Sequence, residues 1–350
     1  MSASPALEAA ALLERLVAIP SLSGEEGPAA DFLQSRLEAW FPGQVRRMGH
    51  NLLVDLSGPQ PGPALLLCSH IDTVSPAAGW TRPPYAATVE GERIYGLGAN
   101  DAGASVVSMI LAAREYGAPA AGRLLVCLAA EEEAGSGGFR KVEPELPRYD
   151  AAVFGEPTDL GVAASMRGAM QAVLRSRGVA CHASRPWEGR NAFDKLATDL
   201  AALRSLDLAD DSPWRGATVE PTVVRGGESA NQIPALIETK LDIRTTPQKD
   251  NAWIRAEFAR LGLEAEITAD WRRPMHNPPG APLPAAIRAE GAPEAVFNGT
   301  CDMAFATAPS VVWGPGRSER SHAADEFVER GEIARAVAAY GAVLRRYFSA

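Results

Sequence analysis

The chain is poor in the residues that build several kinds of protein. Its four cysteines, Cys68, Cys127, Cys181 and Cys301, are far apart among 350 residues and form no CxxC pair, which excludes a disulfide framework or a zinc-thiolate knuckle. Cys68 and Cys127 sit in apolar runs and read as small buried hydrophobes. Cys181 and Cys301 lie beside candidate site residues, His182 and Thr300, but a nucleophilic role is not expected of either. No apolar run approaches the roughly 18 residues of a membrane span, and the N-terminal stretch carries acids inside its apolar part rather than a basic start. Neither a leader peptide nor a membrane partner is expected, and the cytoplasm is the expected compartment. Positive charge is also in deficit, with 34 Lys and Arg against 43 Asp and Glu and a net charge of -9. No basic stripe stands out, so nucleic acid is excluded as a partner.

What the chain does have is a repeated pattern: a short apolar strand running straight into an acid or a histidine. Residues 65–68 (LLLC) read as a buried strand that delivers Ser69, His70, Ile71 and Asp72. In an open α/β sheet, ligands bind beyond the carboxyl ends of the strands. A histidine there can offer one ring nitrogen to a metal, while a carboxylate two residues on takes the proton of the other. Residues 123–130 repeat the pattern and deliver Glu131, Glu132 and Glu133. Three adjacent like charges at a strand end suggest a bound cation. Residues 151–154 lead to Glu156, and residues 309–313 to a loop ending at His322. The glycine-rich GLGANDAG places Asp101 ahead of a helix over 105–116, where an acid is electrostatically favoured. Its glycines do not have the spacing of a dinucleotide loop.

The remaining periodicities predict helices over 7–17, 26–40 and 332–347, a strand over 51–56 and a turn over 58–62. Between them the pattern changes to amphipathic strands over 170–177 and 237–244, with helices over 192–206 and 251–261. The expectation is an α/β protein with a mixed, mostly parallel sheet flanked by helices and an inserted α+β domain, divided as 1–166, 167–272 and 273–350. Proline-rich residues 271–284 read as the return linker, with His276 in a loop. His50 lies outside every motif.

Collected, His70, Asp101, Glu132, Glu133, Glu156 and His322 offer only oxygen and nitrogen donors. That set suits borderline divalent ions, Zn²⁺ or in its place Co²⁺ or Mn²⁺. Two ions need five ligands if one carboxylate bridges, which leaves one acid as a general base for hydrolysis of an amide or ester.

SHIDTVSP, GLGANDAG, AAEEEAGSGG, GEPT and SHAADEFV, in this order, resemble the metal-site motifs of the zinc-dependent aminoacylase and carboxypeptidase family, which includes acetylornithine deacetylases and succinyl-diaminopimelate desuccinylases. The resemblance implies a zinc-peptidase-like fold whose inserted domain is ferredoxin-like and serves as dimerisation and lid domain. It also implies that His70, Asp101 and Glu156 hold one metal and Asp101, Glu133 and His322 the other. Asp72 would orient His70, Glu132 would be the general base, and His182, in GVACHASRPWEGRNAF, would reach a partner subunit's site to stabilise the oxyanion. Asn231, Arg244, Gly299 and Thr300 resemble substrate-contacting positions, and Arg167 is a candidate for a substrate carboxylate. The chain departs from the family where Ala102 to Ala104 lack the usual lysine after the bridging acid, and where Glu131 replaces a commoner Asp.

The resemblance implies a homodimeric, metal-dependent hydrolase that removes a short acyl group from a small N-acylated amino acid, N-acetyl-L-ornithine first. A succinyl-diaminopimelate desuccinylase, a hydrolase of carrier-protein-linked lysine and a dipeptidase or carboxypeptidase are the alternatives. From other classes stand a non-catalytic metal-binding protein on the same scaffold and a redox enzyme using the glycine loop and cysteines.

Overall fold

The computed structural model describes residues 4–135, 137–278 and 280–349. Ser136 of the AGSGG stretch, Pro279 of the proline-rich segment and the first residues of the N-terminal stretch lie outside the described residues. The chain forms two compact units. One comprises Met1–Ser165, His276–Phe297 and Cys301–Ala350, the other Met166–Met275 and Asn298–Thr300.

The first unit is built on a six-stranded sheet. Its strands are β1 (Val45–Met48), β2 (Asn51–Ser57), β3 (Gln60–His70), β4 (Ala121–Ala129), β5 (Ala151–Phe154) and β10 (Ser310–Val312), ordered β1-β2-β4-β3-β5-β10. The pairs β4-β3, β3-β5 and β5-β10 are parallel, while β1 and β2 join antiparallel at one edge. Continuous apolar runs such as Leu65–Leu67 and Leu124–Val126 form central strands because both faces of the sheet are covered. On one face Leu65, Leu67, Val126 and Val153 meet the apolar stripes of α1 (Pro5–Val17), α2 (Gly27–Trp40), α3 (Ala104–Tyr116) and α8 (Arg330–Phe348). On the other, Phe154 meets Phe139 of the short α4 (Gly137–Val142) edge to face, ring centroids 5.3 Å apart.

Local chemistry starts these helices where they start. Ser4 caps α1, accepting from Leu7 N–H, with Pro5 at its first position. The Glu329 and Glu332 side chains make a reciprocal capping box at the start of α8.

The second unit is a β-α-β-β-α-β unit. Strands β6 (Gly168–Arg177), β7 (Thr218–Gly226), β8 (Leu236–Thr245) and β9 (Ala265–Arg272) form an antiparallel sheet in the order β7-β8-β6-β9, the ferredoxin-like arrangement. Along β6 every second residue is buried, the pattern of a sheet covered on one face. Met170, Leu174, Leu241 and Ile243 pack there with Leu203 of α5 (Ala192–Arg204) and with Ile254 and Phe258 of α6 (Asn251–Arg260).

Three local expectations are corrected. The stretch read as a turn over 58–62 is mostly the start of β3, which begins at Gln60 and pairs with Ala121. Gly62 permits this, because a Cβ there would sit 2.7 Å from Gly122 N. The segment read as a linker over 271–284 carries the end of β9 and the beginning of a helix, α7 (Pro282–Ala289), which its leading proline favours rather than breaks. His276 lies on the two-residue strand Met275–His276 rather than in a loop. The second unit takes in Asn298–Thr300, where Arg272 donates to the Thr300 hydroxyl at 2.7 Å and to its carbonyl at 3.3 Å.

Candidate metal centre

Within the first unit, the ends of β3, β4 and β5 and two loops converge. His70 is the last residue of β3, and the turn after it is propped by the segment that follows α1. Ser21 Oγ donates to Ile71 O at 2.6 Å, and Ser23 Oγ donates to Asp72 Oδ2 at 2.7 Å. His70 Nδ1 donates to the Asp72 carbonyl at 3.0 Å and lies 3.4 Å from the Asp72 carboxylate. A carbonyl only accepts, so Nδ1 carries the hydrogen and Nε2 presents its lone pair. That nitrogen lies 3.3 Å from Asp101 Oδ1 and 4.0 Å from Glu156 Oε2.

The second histidine arrives from the far end of the chain. His322 Nε2 sits 2.8 Å from Glu133 Oε1 and 3.6 Å from Asp101 Oδ2. Asp101 therefore turns one carboxylate oxygen toward each imidazole, the disposition a bridging ligand needs. Donor atoms of His70, Asp101 and Glu133 all lie within 4.8 Å of one another. Glu132 and Glu156 are buried, at 6% and 7% exposure.

The Asp72 carboxylate does more than stand near His70. It accepts Glu132 N–H through one oxygen and Glu133 N–H through the other, each at 3.0 Å. The loop over 317–321 that leads to His322 is gripped by buried Asn100, which donates to Arg317 O and Ser321 Oγ and accepts from Arg317 N–H. Glu326 Oε1 in turn accepts Asn100 N–H at 2.8 Å and Asp101 N–H at 3.0 Å. Asp325 accepts Thr81 N–H at 2.9 Å and Arg82 N–H at 3.2 Å. Glu131, His322 and Asp325 all have φ between +54° and +59°, a region such residues occupy only when their surroundings hold them there.

The electrostatics are those of a site built for added positive charge. Burial, joined by the charges of Asp101, Glu132 and Glu133 and only partly relieved by His70, pushes Glu156 well above the usual carboxylate range. Burial and the neighbouring Asp101 push Glu326 up to about 8. The hydrogen bond to Glu133 lifts His322 to about 9. For His70, burial opposes the charge, but Asp101, Asp72 and Glu156 overcome it and raise its pKa well above the ordinary value. Two imidazoles and four carboxylates, with no sulfur among them, fit divalent ions of borderline hardness.

Asn100 and Glu326 were not singled out from the sequence. Both lie inside quoted motifs, but only the folded chain joins positions 226 residues apart. His182, Arg167, Asn231, Arg244, Gly299 and Thr300 belong to the second unit. There, Cys181–His182 pairs with Gln232–Ile233, and Ala183 N–H donates to Asn231 O, bringing His182 and Asn231 together. Ser184 N–H donates to His182 Nδ1 at 3.2 Å, so in the neutral ring the hydrogen is on Nε2. Arg244 binds Asp242 through two hydrogen bonds. Arg167 reaches Gly216 O and Thr218 Oγ1, and burial followed by the charge of Arg244 lowers its pKa.

Comparison with known proteins supplies a family and a fold. Residues 66–346 match the peptidase family M20/M25/M40. An acetylornithine deacetylase of Yersinia pseudotuberculosis is 28% identical over 92% of this chain and 93% of its own. A Mycobacterium tuberculosis protein provisionally named a succinyl-diaminopimelate desuccinylase is 30% identical over 96% of each. An M20 family metallo-carboxypeptidase from Sulfolobus solfataricus superposes with a TM-score of 0.78, covering 98% of this chain and 100% of its own at 18% identity. YxeP of Bacillus subtilis, described as a dinuclear metal-binding M20 peptidase, gives 0.72 over 98% of both chains, also at 18% identity.

Proposed function

We propose a function for this chain from one premise: it belongs to peptidase family M20/M25/M40, and is thus of a metal-dependent peptidase and deacylase kind. In our reading it hydrolyses the amide of a short acyl group on an amino acid, with N-acetyl-L-ornithine as the first candidate. The observation that carries the reading is Asp101 standing between His70 and His322 with one oxygen toward each. His70, Asp101 and Glu156 would hold one divalent ion, and Asp101, Glu133 and His322 a second, zinc being our first choice and cobalt or manganese substitutes. Such ions supply Lewis acidity toward the acyl carbonyl and make water acidic enough to attack near neutral pH.

The chain's own groups do the rest. Glu132 takes the proton of the attacking water and passes it to the departing nitrogen, since an amide anion leaves too slowly without it. Asp72 fixes the backbone of Glu132 and Glu133 from behind and holds the His70 turn. His182 Nε2–H is the donor for the oxyanion, and we assign it to the site of a partner subunit in a homodimer formed through the ferredoxin-like unit. Asn231, Arg244, Gly299 and Thr300 would contact substrate. Arg167, with two hydrogen bonds and a neighbouring arginine, is the candidate for a substrate carboxylate.

The test is release of free amine from N-acetyl-ornithine, N-succinyl-diaminopimelate, N-acetyl-lysine and dipeptides, with zinc- or cobalt-loaded and chelated protein. We expect acetyl-ornithine to have the highest kcat/KM and chelation to abolish it. Preference for the succinyl substrate would move the assignment to that branch, and turnover that survives chelation would remove the metal mechanism.

A further inference from the structure

Glu26 stands immediately before α2 and is completely buried. A side chain that caps a helix from that position accepts an N–H of the first turn. Glu26 makes no such bond. Its Oε1 instead accepts Gly24 N–H at 2.7 Å and Glu131 N–H at 3.0 Å, and its Oε2 lies 2.8 Å from His50 Nδ1. A buried carboxylate is costly unless its oxygens are satisfied, and here they are satisfied by Gly24, His50 and the acid loop and not by the helix.

The partner it has chosen is informative. Glu131 opens the acid run with φ at +54°, where a non-glycine residue remains only under constraint. Asp72 accepts the next two amides, those of Glu132 and Glu133. Three successive backbone N–H groups are thus taken up by two buried carboxylates arriving from different parts of the chain. With the amides fixed, the side chains of Glu132 and Glu133 have little freedom in how they leave the end of β4. We propose that Glu26, backed by His50, is a positioning residue for the acid loop: it locks Glu131 N–H, and so sets where Glu132 and Glu133 are presented. The proposal rests on the reading of Glu132 as base and Glu133 as metal ligand.

The experiment compares Glu26→Ala, Glu26→Gln and His50→Ala with the parent chain. Backbone hydrogen exchange is resolved at 131–133 in chelated protein, and kcat and KM are measured at saturating metal. In Glu26→Ala, exchange at 131–133 should accelerate at least about 10-fold while the amides of β3 keep their protection. Its kcat should fall about 10- to 100-fold, the range seen when the partners that orient metal ligands are removed, with KM changed less than about threefold. Glu26→Gln keeps an oxygen for Glu131 N–H and should recover most of both. A residue that merely stabilises the fold would lower the melting temperature of Glu26→Ala and leave kcat of the folded protein intact, and that result overturns the proposal. So does Glu26→Gln behaving no better than Glu26→Ala. Should Glu26→Ala not fold, protection at Glu131 that is kept in Glu26→Gln and lowered in His50→Ala supports the proposal, and protection unchanged in His50→Ala overturns it. The exchange data need no substrate, so they decide the point even if the chain turns over none of the amides tested.

Discussion

Replacing Asp72 by Asn isolates a single buried charge at the centre of the site. The carboxylate is 1% exposed and accepts from Ser23, Glu132 and Glu133. Asn keeps the shape but offers one oxygen in place of two, so its amide group must point N–H at one of the donors it formerly accepted. Hydrogen bonds to a charged group are worth about 1.5–3 kcal/mol each, and a donor facing a donor adds to the loss, so Asp72→Asn should destabilise the metal-free protein by about 2–4 kcal/mol. Activity of the metal-loaded protein should fall about 10- to 100-fold, because the backbone of Glu132 and Glu133 is no longer fixed. The pH dependence supplies an internal control. Burial works against the Asp72 charge, but His70, Ser23 and Glu132 N–H prevail and hold its pKa below the usual carboxylate range. A depressed folded pKa contributes stability above the unfolded value, near about 3.9, that is lost as pH falls through the folded one. The gap between parent and variant should therefore be full at pH 7 and close in acid. Urea titrations at several pH values measure it. A variant within about 0.5 kcal/mol of the parent at pH 7 would refute the argument, being no more than an ordinary surface substitution costs.

Glu132→Gln should retain the metal content of the parent by elemental analysis and lose about 10²- to 10⁴-fold in kcat, and appreciable turnover would remove Glu132 from the base role. Mixing inactive His182→Ala subunits with Glu132→Gln subunits should restore roughly a quarter of parental activity, since half the dimers are mixed and each has one complete site. No recovery would confine His182 to its own subunit. In chelated protein, His322, raised to about 9, gives stability that is full below about 6.5 and lost through 9, and Glu326, raised to about 8, gives stability that is full below about 4.3 and lost through 8, so the two windows overlap from about 6.5 to 8. Both slopes have the same sign, so calorimetry should find the chelated protein more stable at pH 6 than at pH 9, and a flat or rising profile would contradict this.

The sequence spoke clearly where local physics decides. Unbroken apolar runs at Leu65–Leu67 and Leu124–Val126 could only be strands buried on both faces, and the donors beyond them follow from where such strands end. It was silent where distant segments meet. Nothing local in Glu326 tells that its oxygen will hold the amides of Asn100 and Asp101, or that Asp72 will receive the two amides of a loop 60 residues on. Prolines misled twice, at Gln60–Pro63 and at Pro282, because a proline at the start of a strand or helix forfeits no essential hydrogen bond.

The loop that bears His322 is tied down by Asp325 to Thr81 and Arg82, more than 240 residues earlier. This ordering has a biosynthetic meaning. All donors but one emerge from the ribosome within the first 156 residues, then wait while the ferredoxin-like unit is made. Only afterwards do β10, at the sheet edge, and the His322 loop arrive. A chain interrupted anywhere before that point carries a cluster of acids without the imidazole and straps that complete it. A metal ion at the proposed centre would therefore meet its full set of donors only once the chain has been made past His322.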